Sequence, residues 1–145
     1  ADGEPHDVAG GLDTIMAGLA CGEPSPIAWR VLWDVVDAFL ACPDYVAAKG
    51  MRVFAVPLAG DPFVVSGESG AVTLGALMYV AEWPEYADLK ASLGLGADAQ
   101  VLLINSEGNT DPDYFRRVVW EGAQSVPDDY QWAAATQGRA QTFVP

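Results

Sequence analysis

Apolar and polar positions change over along this chain in short blocks, and each block carries its own start and stop signals. Residues 1–12 are rich in turn formers and lack periodicity, which predicts a loop. The small-residue stretch 13–24 ends at Glu23-Pro24, and Ser25-Pro26 then opens a helix, with Ser as N-cap and Pro at the first helical position. Arg30, Asp34 and Asp37 recur at spacings of four and three and form one polar face. Ile27, Val31, Leu32, Val35 and Val36 spread around the rest, predicting a largely buried helix. The apolar run Ala38–Cys42, stopped by Pro43, is read as a buried strand.

A second helix is expected from Pro43 to before Pro57, then a loop over Leu58–Pro62 and a very short strand at Phe63–Val65. The turn Ser66-Gly67-Glu68-Ser69-Gly70 leads into a helix from Ala71 to about Trp83, with Ser69 or Glu68 as its cap. Pro84 starts the next helix, which stops at Gly94, and Val101–Ile104 reads as a four-residue buried strand. Thr110-Asp111-Pro112-Asp113 starts a last helix that stops at Gly122. Residues 123–145 lack periodicity and are expected to be an irregular tail after a domain of 1–122. Helices alternating with short buried strands make the chain α/β. Two or three strands cannot cover this many apolar helices, so edges and faces should be left for another piece of chain.

Composition narrows the function classes. With 51% hydrophobic residues the chain is not disordered. No apolar run approaches the roughly 20 residues that span a bilayer, and no basic region followed by an apolar stretch opens the sequence. A net charge of −13 repels phosphate backbones and anionic lipid, so neither nucleic acid nor membrane is an expected partner. Two cysteines, Cys21 and Cys42, with one histidine, His6, make neither a disulfide scaffold nor a zinc cluster. Buried small hydrophobes are the plainer reading of the cysteines, a Cys21–Cys42 bridge the alternative. Reducing cytoplasm is the default compartment. The five tryptophans are read as core or interface packing.

Three segments invite chemistry. The glycines of 66–70 precede a helix start, where backbone N–H groups can meet an anion, but Glu68 inside the turn opposes a phosphate. Asn105-Ser106-Glu107-Gly108-Asn109 follows the expected strand at 101–104, and open α/β sheets bind ligands at such ends. Met16-Ala17-Gly18-Leu19-Ala20 is a small-residue loop, whose functional reading comes only with a family resemblance. Each has an ordinary reading beside the functional one: a capped turn, a Ser/Asn/Gly turn and a packed loop. No histidine is placed for a Ser-His-Asp triad, and the paired acids Asp128-Asp129 and Asp111-Asp113 read as solvation and capping.

In that order and at those separations, Asp13–Glu23, Ser66–Ala71 and Asn105–Asp111 resemble the C-terminal part of the diaminopropionate ammonia-lyases, members of the pyridoxal-phosphate β-family with the serine and threonine dehydratases. The resemblance runs from about Asp13 to Gly122 and includes Val118-Val119-Trp120-Glu121-Gly122. It implies part of a tryptophan-synthase-β-like open sheet with flanking helices, incomplete on its own. It also implies pyridoxal 5'-phosphate as cofactor of the parent enzyme, with Ser106 at the ring nitrogen, Glu68 as a polar wall and Gly18 on the substrate side. A neutral hydroxyl at that nitrogen leaves the ring a weaker electron sink, which suits elimination. Cys21-Gly22-Glu23-Pro24 belongs to the ammonia-lyase version of the pattern.

The family's Schiff-base lysine has no counterpart here, since the only lysines are Lys49 and Lys90. The chain is therefore expected to be a fragment of a lyase that converts 2,3-diaminopropionate to pyruvate and ammonia, inactive alone. Its partners would be a small amino-acid substrate and the rest of the enzyme or another copy, in a homodimer. The alternatives are a non-catalytic binding module derived from the fold, or a piece of a serine/threonine dehydratase.

Overall fold

A computed structural model describes residues 5–125, and the proposed tail from 126 onward lies outside the described residues. Among the described residues five α-helices form: α1 (Pro26–Val35), α2 (Asp44–Ala55), α3 (Glu68–Glu82), α4 (Ala87–Ser92) and α5 (Pro112–Val119). Single 3-10 turns stand at Ala17–Leu19 and Pro84–Tyr86. The predicted helix starts hold where a local cap drives them. Ser25 accepts the Ala28 N–H at the head of α1, Asp111 accepts the Tyr114 N–H at the head of α5, and a proline follows each cap.

The centre is the crossing of α2 and α3, which touch through backbone. A Cβ added to Gly50 would sit 2.9 Å from the Ala71 carbonyl carbon and 3.1 Å from the Gly75 nitrogen. One added to Gly75 would sit 2.8 Å from the Val46 carbonyl carbon. Ala47, Ala48 and Ala71, all fully buried, keep the same seam narrow. α5 closes the far side of α2 with Val118 against Met51 and Ala48, flanked by Phe54, Tyr114 and Phe115. Arg52 then fastens the end of α5: its guanidinium donates to the carbonyls of Val118 (3.2 Å), Ala123 (3.0 Å) and Gln124 (3.2 Å). The backbone at 123 and 124, expected to belong to a loose tail, is thus held to the body.

The open sheet is not formed among the described residues. Ala38–Cys42, Phe63–Val65 and Val101–Ile104, each expected to be a strand, carry no regular hydrogen-bonded structure. A strand exists only beside a partner strand, and these segments find none within 5–125. Phe39, Leu102 and Ile104, expected to be buried, are 69%, 85% and 70% exposed. Helix α1 departs in the same way. It buries no residue, and Ile27, Val31, Trp33 and Val35 face solvent, while Trp29 meets Trp33 in a tilted contact and stacks on Phe39. Of the tryptophans expected in packing, Trp33 and Trp120 are mostly exposed. Cys21 is exposed, Cys42 half-buried, and both are free thiols. Among the described residues no helix is long and apolar enough to cross a membrane, and no cluster of His, Cys, Asp and Glu could hold a metal ion.

The helix crossing generates a direct test. Gly75→Ala and Gly50→Ala should each destabilise the fold by about 1–3 kcal/mol, the usual range for overpacking a tight contact. Gly96→Ala, whose Cβ meets nothing within 4 Å, should leave stability unchanged. Denaturant unfolding compares the three, and wild-type stability for Gly75→Ala would contradict so close a crossing.

Candidate functional site

The site grows from the head of α3. This helix begins at Glu68, three residues before its expected start, and its N-cap Gly67 has no side chain to close the first turn. The cap comes from a distant segment. Glu107 places Oε2 2.6 Å from the Ser69 amide nitrogen, and its backbone carbonyl accepts the Gly67 N–H at 3.1 Å. Asn105 secures the same junction. Its Oδ1 accepts from the Ser66 hydroxyl at 2.8 Å and from the Glu107 amide at 3.3 Å, while its Nδ2 donates to the Val65 carbonyl at 3.2 Å. Ser66 is completely buried beneath this network. The turns around Glu68 and Ser106 are therefore stitched into one surface.

The third turn arrives from the other side. Thr14 donates to the Asp44 carboxylate at 2.6 Å, and the Ile15 amide donates to it at 3.2 Å, which anchors 14–16 to the head of α2. From there the Ala17–Leu19 turn lies against α3, where a Cβ on Gly18 would stand 3.0 Å from Ser69 Oγ. That hydroxyl is buried and has no hydrogen-bond partner among the described residues. Unsatisfied buried hydroxyls are uncommon, and this one sits where the three turns meet. Beyond Ser69 the flank of α3 continues through Thr73 and Leu77 into an open apolar groove of about 720 Å³, bounded by Leu19, Cys42 and Val101.

Of the residues singled out from sequence, Glu68 is buried at the first position of α3, Gly18 covers Ser69, and Ser106 is exposed in the turn between Asn105 and Glu107. Ser66, Asn105 and Glu107 were not singled out, and Ser69 only as a cap, although the four make the junction. Their partners lie 38 to 40 positions away for all but one of these bonds, so no local pattern marks them. Ser69, one of the two expected caps, does not close the turn with its side chain, since its hydroxyl has no partner among the described residues. The lysines are remote from the junction. Lys49 pairs with Glu82 at 3.4 Å and lies over the Tyr79 ring, and Lys90 donates to the Ala81 carbonyl at 2.7 Å. Both partners belong to the opposite end of α3, about 20 Å from Glu68 at the helical rise per residue.

Burial pushes the Glu68 carboxyl above the ordinary glutamate range, and the negative neighbours Glu107 and Asp111 push it the same way, against a backbone hydrogen bond that lowers it. The folded chain thus holds this proton more tightly than the unfolded chain. The resulting stabilisation is fully present below the unfolded pKa and is lost as pH rises through the raised folded value. Glu68→Gln should accordingly raise the melting temperature at about pH 8, with the gain shrinking toward about pH 4. A melting temperature lowered at the higher pH would contradict this.

No family model matches the chain. The diaminopropionate ammonia-lyase of Escherichia coli K12 is 49% identical over 124 residues, which cover 86% of this chain and 31% of that protein. The Salmonella typhimurium LT2 enzyme of the same name is 48% identical over 122 residues, covering 83% and 30%. The Escherichia coli enzyme solved with an aminoacrylate-PLP azomethine reaction intermediate superposes with a TM-score of 0.74 at 51% identity, over 79% of this chain and 30% of that one. Its complex with D-serine gives 0.72 at 49% identity, over 76% and 28%. The chain spans about a third of the length of these relatives. Over the matched residues it is a homologue of the diaminopropionate ammonia-lyases and corresponds to one part of them.

Proposed function

We propose that this chain is the segment of a pyridoxal-phosphate-dependent ammonia-lyase that walls the cofactor ring, in an enzyme that converts 2,3-diaminopropionate to pyruvate and ammonia. The observation that carries the reading is the meeting of three sequence-distant turns at the head of α3, the same three that carry the resemblance. The fit to such a group rests on the unpartnered, buried Ser69 hydroxyl at their junction and on the exposed hydroxyl of Ser106 beside it in the stitched surface. When bound, pyridoxal phosphate supplies the electron sink for loss of the α-proton and the β-amine.

This chain's own residues do the rest of the work on the ring side. Ser106 offers a neutral hydroxyl that can hydrogen-bond a ring nitrogen without holding it protonated, as a carboxylate would. Glu68, buried and raised toward its neutral form, makes a polar wall rather than a proton carrier. Gly18 keeps the substrate side open, because a side chain there would press on Ser69. The phosphate and the Schiff-base lysine are assigned to the remaining two thirds of the enzyme. The exposed α1, the groove beside α3 and the unpaired segments at 38–42 and 101–104 are surfaces that this remainder would cover, with the segments joining its sheet.

A chimera tests the reading: residues 13–122 replace the matching segment of the Escherichia coli enzyme, and ammonia and pyruvate are measured from 2,3-diaminopropionate. The chimera should be active. Ser106→Thr should keep most activity, whereas Ser106→Asp should lower it at least about tenfold with cofactor retained. A folded but inactive chimera would instead favour the non-catalytic module. The isolated chain, whose two lysines are engaged at the far end of α3, should keep no pyridoxal absorbance after dialysis. A retained band abolished by Lys49→Ala or Lys90→Ala would overturn that expectation.

A further inference from the structure

The first turn of any helix presents amide N–H groups that lack partners, and these are a ready site for an anion. At the head of α3 that place is already taken from within the chain. Glu107 Oε2 accepts the Ser69 N–H at 2.6 Å, Oε1 accepts from the Thr110 hydroxyl at 3.3 Å, and the Glu107 carbonyl accepts the Gly67 N–H at 3.1 Å. Gly67 makes room for that carboxylate, and Gly70 for the Asn105 side chain and the backbone of its turn. A Cβ on Gly67 would lie 2.6 Å from the Glu107 carboxyl carbon and 2.7 Å from the Gly108 carbonyl oxygen, and one on Gly70 would lie 3.0 Å from the Glu107 nitrogen. Ser106 is the residue between the two, Asn105 and Glu107, that bind the α3 turn.

We infer that Glu107 is the positioning residue of this site: its carboxylate, seated on the Ser69 amide at the head of α3, fixes the Ser106 turn against the Glu68 turn and denies that amide to a phosphate. The positioning of Ser106 for elimination rests on the function proposed above; the occupancy of the amide does not. The glycine-rich turn before α3 is then a socket for an internal carboxylate, and a phosphorylated ligand is left to approach it with its uncharged end. Glu107 is also the stronger of the two acidic influences on Glu68, Asp111 being the second.

The test uses the whole 145-residue chain, isotope-labelled, as wild type, Glu107→Gln and Glu107→Ala. The Ser69 and Gly67 amides, which donate to the Glu107 carboxylate and carbonyl, are followed by hydrogen exchange, with and without inorganic phosphate. Glutamine keeps an acceptor oxygen, so Glu107→Gln should stay close to wild type, while Glu107→Ala should exchange about tenfold faster or more at Ser69, the loss of one hydrogen bond to a charged group, and faster at Gly67 as the Ser106 turn loosens. Glu107→Ala should also gain phosphate-dependent shifts at Ser69 and Gly70 that the wild type lacks. Unchanged exchange at Ser69 and Gly67 in Glu107→Ala, or the same phosphate shifts in wild type, would overturn the inference. Should Glu107→Ala not fold, the Glu68 carboxyl carbon in Glu107→Gln decides: its titration should move down toward the ordinary range, and an unmoved titration overturns the inference.

A second arm uses the active chimera. There Glu107→Ala should lower kcat about tenfold or more with KM nearly unchanged, and Glu107→Gln should restore most of it. An inactive parent chimera would sink the proposed function and leave the exchange result standing. An active chimera indifferent to Glu107→Ala would sink the positioning role and leave the proposed function standing.

Discussion

Everything in this molecule depends on how closely α2 and α3 approach. Gly50 and Gly75 let the two helices touch through backbone, and the alanines at 47, 48 and 71 keep the seam narrow. A methyl group at either glycine would press on the opposing main chain, a contact that no side-chain rotation relieves. That crossing fixes the direction of α3 and therefore the position of its first turn. Asp44, at the head of α2, simultaneously holds Thr14 and Ile15, so the same pair of helices sets where the Gly18 turn falls. The third turn is drawn in by the unsatisfied amides of α3, which Glu107 meets from 38 residues downstream.

The arrangement separates two chemical zones. The head of α3 is polar and acidic, and burial, joined by the charges of Glu107 and Asp111, raises the Glu68 carboxyl. The flank of α3 below Ser69 is an apolar groove, and α1 with Phe39 carries a further apolar face in solvent. Large exposed apolar patches on a soluble protein mark surfaces that another body covers. The chain matches about a third of the length of the ammonia-lyases, and on the function proposed above the remainder of that enzyme would cover these surfaces.

Sequence revealed the elements whose causes are local. Ser25-Pro26 and Asp111-Pro112 start helices because each residue satisfies amides within three positions of itself, and the structure places α1 and α5 there. It also revealed the three turns, since their composition and order resemble those of a known family. Strands at 38–42, 63–65 and 101–104 were legible only as apolar runs, and such a run becomes a strand only if a neighbour pairs with it. The burial expected for α1 failed for the same reason: amphipathic spacing states what a helix can cover, not what is present to be covered. Glu107 lay in plain view inside its motif, yet its role depends on amides whose availability only the folded chain discloses.

The most direct measurement is a crystal structure of the cofactor-loaded chimera. The account predicts the Ser106 hydroxyl within hydrogen-bonding reach of the ring nitrogen, about 2.7–3.0 Å, with the Glu107 carboxylate still on the Ser69 amide and the phosphate held by the other part of the enzyme. A phosphate seated on the head of α3 with Glu107 displaced, or a ring nitrogen turned away from Ser106, would contradict it.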